Sequence, residues 1–196
     1  SPLARMKMAL GVLAEEQSSP MIQRMERDIA EMDSLIGSQL ELARAQEQEA
    51  AKTTDIKQLL TDVMDGSEAR EPGRLTLRIG TQGTINVAQV SLRRCLDNLI
   101  TNALRYSGEG QVDVVCRQYH NALCISVRDR GPGIPEDLIE NIFRPFFRME
   151  SSRNRSTGGC GLGLAITRQL AETHGWHVAI KNRRGGGVSA WLIINR

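Results

Sequence analysis

Aromatic residues are scarce: they make up 4% of the 196 residues, with two tryptophans, two tyrosines and three phenylalanines. So sparse a set excludes a base-stacking surface for single-stranded nucleic acid. A basic excess is also lacking, since 25 Lys and Arg face 23 Asp and Glu for a net charge of +2. Without a basic stripe, nucleic acid is not an expected partner. No run reaches the ~18 apolar residues of a membrane span, and no charged leader precedes a short apolar run as in a signal peptide. The four cysteines, Cys95, Cys116, Cys124 and Cys160, lack CxxC spacing and paired histidines. Neither zinc nor a disulfide framework is therefore expected; buried free thiols in a reducing compartment are. What remains, 40% hydrophobic and 24% charged residues, is enough for one substantial core plus an appendage, and too apolar for a disordered chain.

The appendage comes first. Leu3, Met6, Leu10 and Leu13 recur at helical spacing, and Ser18-Ser19-Pro20 breaks the pattern as a turn. A longer helix is expected from about Met21 to Gln46, with the apolar stripe Met25, Ile29, Met32, Ile36, Leu40 and Ala43 opposite Arg24, Arg27, Asp28 and Glu31. Spacings alternating between three and four make a narrow seam of the bundle type. Two such helices have too little core to stand alone, and a second copy would close a four-helix bundle. The hairpin, residues 1–50, therefore reads as a homodimerisation element, with packing onto the rest of the chain as the alternative. Residues 45–54 lose the seam and read as a last turn and a linker, with the boundary near Thr53.

Residues 54–196 then mix α and β. The pattern gives a helix over Ile56–Met64, a strand over Arg74–Ile79, and a long helix over Val87–Tyr106 with Val90, Leu92, Leu96, Leu99, Ile100 and Ala103 inward. Strands follow over 112–118 and 122–129, then a short helix over Glu136–Ile142. Residues 148–159 are polar, glycine-containing and non-periodic, as in a mobile loop. A helix over Leu162–Thr173 and strands over His177–Asn182 and Val188–Ile194, joined by Gly185-Gly186-Gly187, close the chain.

Four constellations carry chemistry. Asn98 and Asn102 share one face of the long helix beside Arg105; an amide oxygen plus phosphate oxygens suits Mg²⁺, although two exposed helix amides would look the same. Asp129-Arg130-Gly131-Pro132-Gly133-Ile134 ends an apolar strand; a carboxylate there can accept from the adenine amino group and would repel the guanine carbonyl, or it can simply cap a tight turn. Phe143-Arg144-Pro145-Phe146-Phe147-Arg148 gathers all three phenylalanines, as core packing that also anchors one end of a lid. Gly158-Gly159-Cys160-Gly161-Leu162-Gly163-Leu164 opens a helix, where converging N–H groups attract anions. It is not a Walker motif, because no Lys-Ser/Thr follows, and it lacks the preceding strand of a dinucleotide fingerprint. A flexible loop ending in a helix start is its plainer reading.

This order of helical Asn box, Asp-x-Gly-x-Gly, Phe box and Gly-x-Gly-x-Gly resembles the catalytic domain of sensor histidine kinases of two-component systems, and the likeness covers essentially the whole chain. The resemblance implies an α+β chain: a two-helix hairpin that forms a dimeric four-helix bundle, then an α/β sandwich of the histidine-kinase/gyrase ATP-binding type. It implies ATP and Mg²⁺ as cofactors. Asn102 would hold the metal with Asn98 nearby, and Arg105 and Tyr106 would touch phosphates or ribose. Asp129 would read the adenine amine, with Gly131, Gly133 and Ile134 at the ring. Gly159, Gly161, Leu162 and Gly163 would cradle phosphates under a lid whose candidate cations are Arg148, Arg153 and Arg155. The partners implied are a homodimer mate and a response-regulator receiver domain. The parent would be an inner-membrane bacterial sensor with this portion in the cytoplasm.

One departure matters. The family's phosphoacceptor lies in a His-[Glu/Asp]-x-x-[Ser/Thr]-Pro box, and aligning Ser1-Pro2 to its end puts that histidine four positions before Ser1. His120, His174 and His177 fall at a hairpin, a helix end and a strand start, places that suggest surface or packing roles. The expectation is thus a protein histidine kinase fragment that binds Mg-ATP but does not autophosphorylate at the normal site. The alternatives are a non-catalytic nucleotide-binding or dimerisation module, and a gyrase-like ATP hydrolase. The last needs a helical glutamate base where this chain has Asn98, an amide that is no base near neutral pH.

Overall fold

The computed structural model describes residues 4–6, 8–11, 19–68, 72–81, 83–149 and 160–195. Residues 4–6 and 8–11 are helical, within the first expected helix. The second helix, α1 (Pro20–Arg44), starts where Ser19 Oγ accepts the Ile22 N–H at 3.3 Å. A hydroxyl cap followed by proline in the first turn is the arrangement the helix N-terminus favours. Ile29 is buried, whereas Met25, Met32, Ile36 and Leu40 are exposed, so most of the stripe is left uncovered by this chain. None of the described helices is long and apolar enough to cross a membrane.

The remaining elements are β1 (Lys52–Asp55), α2 (Ile56–Glu68), β2 (Leu75–Ile79), β3 (Thr84–Val87), α3 (Gln89–Tyr106), β4 (Val112–Tyr119), β5 (Ala122–Arg128), α4 (Gly163–Thr173), β6 (His177–Asn182) and β7 (Val188–Asn195). Five strands form one sheet in the order β2-β4-β5-β7-β6. β2 lies parallel to β4, and the other neighbours are antiparallel. Alternation sets the sheet's inner face: Val112, Val114 and Cys116 on β4, Leu123, Ile125 and Val127 on β5, and Ala190, Leu192 and Ile194 on β7 are all buried. The helices α2, α3 and α4 supply the other half of this core. Cys95 and Cys116 sit inside it, and burial pushes both thiols up to about 12. Cys124 and Cys160 are only partly buried, so the expectation of buried thiols holds for two of the four.

Three differences from the sequence reading have physical causes. Residues 52–54, expected as linker, form β1 together with Asp55, and β1 pairs with β3 in a separate two-stranded sheet. Both strands are four residues long and only Thr54 of β1 is buried, too short and polar to show in the pattern. The helix expected over Glu136–Ile142 is instead two 3₁₀ turns, Glu136–Leu138 and Asn141–Phe143. So short a segment gains too few i→i−4 bonds to offset helix nucleation. Val90, expected inward, is 56% exposed; it lies two residues, about 200° of helical rotation, from Leu92 and so faces away from the sheet.

The far end of α3 is capped from a distance. Arg74 Nη2 donates to the carbonyls of Leu104 (2.9 Å), Gly110 (3.3 Å) and Gly108, placing a cation at the negative end of the helix. The C-terminal end of the helix that carries Asn98 and Asn102 is therefore tied to a segment outside it. The placement of α3 yields a paired test. Leu96→Ala removes a fully buried side chain and is expected to cost about 2–5 kcal/mol, whereas Val90→Ala should stay within about 0.5 kcal/mol. Urea unfolding of the two variants measures both.

Candidate nucleotide site

α3, the end of β5 and the start of α4 enclose a cavity of about 450 Å³, inside the range of small-molecule sites. Its floor is apolar, with Val127, Ile142, Leu162, Ile166 and Ile180. Of the sequence-derived candidates, Asn98, Asn102, Arg105, Tyr106, Asp129, Gly133, Ile134, Arg148, Gly161, Leu162 and Gly163 all line it. Gly131 stands just behind the wall. Gly159, Arg153 and Arg155 lie outside the described residues, as does most of the expected lid loop.

Asp129 follows directly on β5 and is 6% exposed. Its Oδ1 accepts the Gly131 N–H at 2.8 Å and the Val188 N–H at 3.0 Å. Oδ2 takes no hydrogen bond among the described residues and is the oxygen left for the cavity. Burying a carboxylate is costly unless it is hydrogen-bonded, and the two amides offset part of that cost. They also fix its orientation, with one oxygen committed to the protein and the other available to a ligand.

The two helical amides divide the work. Asn98 Nδ2 donates to Gly163 O (3.1 Å) and to Thr167 Oγ1 (3.4 Å), which ties α3 to the first turn of α4. The side chain of Asn102, one turn on, makes no hydrogen bond among the described residues while the residue lines the cavity. Its amide oxygen is a hard donor of the kind Mg²⁺ takes alongside phosphate oxygens and waters. No group of three or more His, Cys, Asp or Glu among the described residues could hold a metal by itself. A divalent ion here would need such mixed ligation.

The glycines answer to the protein as much as to a ligand. A Cβ on Gly131 would collide with the Tyr106 carbonyl oxygen, where the turn after β5 crosses the end of α3. Gly133, at φ +86°, would place a Cβ 3.0 Å from Asn182 Oδ1. Gly161, at φ +74°, is crowded by the Phe147 carbonyl at 2.9 Å, and its own carbonyl accepts the Phe146 N–H at 3.0 Å. Phe143 is buried and Phe147 packs on the core, whereas Phe146 is exposed. Two of the three aromatics thus fasten the loop. The N-cap position of α4, Leu162, has no side-chain cap. Among the described residues no side chain caps the first-turn N–H groups of α4, which border the cavity and suit an anion.

Three contributors are not evident in the sequence. Asn182 closes a pair of hydrogen bonds with Ile134, accepting its N–H at 2.8 Å and donating to its carbonyl at 2.6 Å. Arg183 Nη1 donates to the Asp129 carbonyl at 2.5 Å. Gly187, at φ +82°, packs so close to Asp129 that a Cβ would overlap its carbonyl oxygen. The triple glycine read as a turn does form the β6–β7 turn, and it also lets that turn press against the adjoining loop. Asn182 and Arg183 carried no signal beyond standing at the end of a strand.

The family of histidine kinase-, DNA gyrase B- and HSP90-like ATPases matches residues 87–196. The chain is 33% identical over 207 residues to the sensor histidine kinase CpxA of Escherichia coli (strain K12), covering 99% of this chain and 44% of that protein. It is 35% identical over 193 residues to the sensor protein RstB of the same strain, covering 95% of this chain and 44% of that one. It thus spans less than half the length of these relatives. The crystal structure of full-length ShkA in complex with AMPPNP superposes with a TM-score of 0.80 at 25% identity, covering 98% of this chain and 42% of that one. The histidine kinase AdeS of Acinetobacter baumannii, at 20% identity and a TM-score of 0.72 over all of this chain and 95% of that one, shares the fold.

The glycine geometry separates two neighbours. Gly187→Ala is expected to cost about 1–3 kcal/mol from its positive φ alone and to displace Asp129, lowering nucleotide affinity. Gly185→Ala meets nothing within 4 Å and should leave both unchanged. Thermal unfolding and a nucleotide titration on each variant check this.

Proposed function

Because the chain belongs to the family of histidine kinase-, DNA gyrase B- and HSP90-like ATPases, we propose that its ATP-binding domain serves a sensor histidine kinase. In this reading it binds Mg-ATP and transfers the γ-phosphoryl group to a histidine that lies upstream of this chain. The phosphoryl group then passes to an aspartate of a response-regulator receiver domain. The observation that carries this reading is the division of labour at Asp129, a residue lining the cavity, with one oxygen held by two backbone amides and the other without a hydrogen bond among the described residues.

Oδ2 accepts from the exocyclic amine of adenine, and a guanine would set its carbonyl oxygen against the carboxylate. Asn182 and Gly133 shape the loop along the ring. Asn102 offers its oxygen to the divalent ion, Arg105 and Tyr106 face phosphates and ribose, and the first turn of α4 with Gly159, Gly161, Leu162 and Gly163 receives the phosphate chain. A divalent ion held through Asn102 would supply charge neutralisation for the phosphate chain. Arg148, Arg153 and Arg155 are the candidate lid cations, one of which would reach the γ-phosphate. In the transfer, the bond from the γ-phosphorus to the β–γ bridging oxygen breaks and one to an imidazole nitrogen forms. ADP leaves and the imidazole sheds a proton. Positioning and charge neutralisation supply most of such catalysis. Asn98 is an amide already engaged with α4, so it does not activate water in the manner of a hydrolase's glutamate.

Residues 1–50 are the dimerisation hairpin in this account and residues 54–196 the catalytic domain. The exposed Met25, Met32, Ile36 and Leu40 are what a second copy would cover in a four-helix bundle. His120, His174 and His177 lie outside any phosphoacceptor box, so this chain binds nucleotide without phosphorylating itself at the family's usual position. The parent sensor is membrane-anchored, with this portion in the cytoplasm.

Asp129→Asn tests the reading with a directional outcome. The two backbone N–H groups keep the amide oxygen where Oδ1 was, so the amide nitrogen turns to the cavity as a donor. ATP affinity should fall about 10- to 100-fold, the equivalent of a hydrogen bond to a charged group, while GTP is rejected less. Titrations with Mg²⁺ present measure both nucleotides on wild type and variant. An unchanged ATP-to-GTP ratio contradicts the proposal.

A further inference from the structure

The stretch between the hairpin and the mixed domain is fastened at one polar cluster away from the nucleotide cavity. α3 begins at Ala88, which has no side chain to cap it. The cap comes instead from the linker. Glu49 Oε1 accepts the Val90 N–H at 3.0 Å, and Oε2 accepts the Ser91 N–H and the Ser91 hydroxyl, both at 2.8 Å. A carboxylate on two first-turn amides satisfies orphan donors and meets the positive end of the helix dipole. The cluster continues into α4: His174 Nε2 lies 3.0 Å from Ser91 Oγ, and the His174 ring stacks on Trp176 at 4.9 Å. Ser91 spends its only proton on Glu49, so Nε2 must be the donor, which assigns the tautomer. Nearby, Thr173 Oγ1 donates to the Ala45 carbonyl at 2.9 Å, and Ala45 is wholly buried.

Burial by itself would raise the Glu49 pKa. The Val90 N–H, the Ser91 hydroxyl and N–H, and the charge of His174 outweigh it and hold the carboxyl below its ordinary value. Burial lowers His174, against the pull of Glu49. The geometry sets an accepting carboxylate and a donating imidazole Nε2 on either side of the Ser91 hydroxyl.

We propose that Glu49 is a positioning residue: by capping α3 from the linker it fixes how the nucleotide-binding domain sits against the helical hairpin. The functional meaning rests on the reading of α3 as the helix that handles nucleotide. Val90 and Ser91 stand seven or eight residues before Asn98, about 11 Å along the axis, so Glu49 does not touch the cavity. Its effect is on where the cavity is carried. Within residues 45–51 the other ties are the Thr173 bond, which runs to α4 rather than α3, and the burial of Ala45; residues 52–55 are held separately by pairing with β3, and α1 itself packs against α4. Releasing Glu49 therefore removes the only tie from residues 45–51 to α3 among the described residues and loosens that stretch while leaving the pocket assembled.

Hydrogen exchange on the whole chain, paired with ATP titration, tests this in wild type, Glu49→Gln and Ser91→Ala. In Glu49→Gln the side-chain amide would keep one acceptor oxygen for three donors, and Ser91→Ala keeps the carboxylate but loses the hydroxyl and the link to His174. Both variants should exchange at least tenfold faster at residues 46–51 and at positions 90 and 91. Exchange at Leu96–Ala103 should be unaltered, and ATP affinity should stay within twofold. A merely structural role would instead speed exchange through α3 and weaken ATP together, and that result overturns the proposal. So does unchanged exchange at 46–51 in Glu49→Gln. The exchange pattern does not depend on nucleotide. A wild-type chain that bound no ATP would therefore defeat the nucleotide reading, while Glu49 still stood or fell by residues 46–51.

Discussion

A buried carboxylate whose two oxygens are made unequal is the constraint on which the site depends. Asp129 follows a central strand, and the Gly131 and Val188 amides take one oxygen. For those bonds to form, the chain after β5 must double back within two residues and the end of the β6–β7 hairpin must press against it. That close approach explains the demand for glycine: Gly131 under the Tyr106 carbonyl and Gly187 against the Asp129 carbonyl are positions where any side chain would force the backbones apart. Arg183 and Asn182 then fasten the hairpin to the loop from the other side. The apolar core sets the frame, and this small polar knot converts a strand end into a selective acceptor.

The helices do a different job. α3 is held at its N-terminus by Glu49, at its C-terminus by Arg74, and along its length by the Asn98 contact with α4. Its cavity amide Asn102, unengaged among the described residues, is thereby presented at a fixed height above the floor. Preorganisation of this kind matters in phosphoryl transfer, where a protein mainly positions groups and balances charge. Of these three ties only the Glu49 bond runs to the stretch that follows the helical hairpin.

Much of this is legible in the sequence, and the boundary between legible and hidden is physical. Apolar period exposes the long helix and the main strands because burial on one face repeats along the chain. The Asn box, Asp129 and the glycine loop are recognisable because they occur as short runs with fixed spacing. What stays hidden depends on contacts between distant residues: Asn182 with Ile134 across 48 positions, Glu49 with Ser91 across 42, Val188 with Asp129 across 59. None of these residues differs in type from an ordinary strand, linker or hairpin residue. β1 and β3 are missed for a related reason, being short strands that stabilise one another and nothing periodic. Val90 is misplaced because a long helix begins before its buried face does. Asn98 and Asn102 look alike in the sequence, and only the position of α4 makes one a brace and leaves the side chain of the other without a hydrogen bond among the described residues.

The central claim is that a single oxygen of Asp129 recognises the amino group of adenine. Replacing that donor on the nucleotide, rather than altering the protein, tests it most directly. The account predicts that N6,N6-dimethyl-ATP, which has no hydrogen to donate, binds the unmodified chain at least about tenfold more weakly than ATP, in line with a lost hydrogen bond to a charged acceptor. Equal affinities for the two nucleotides would contradict it.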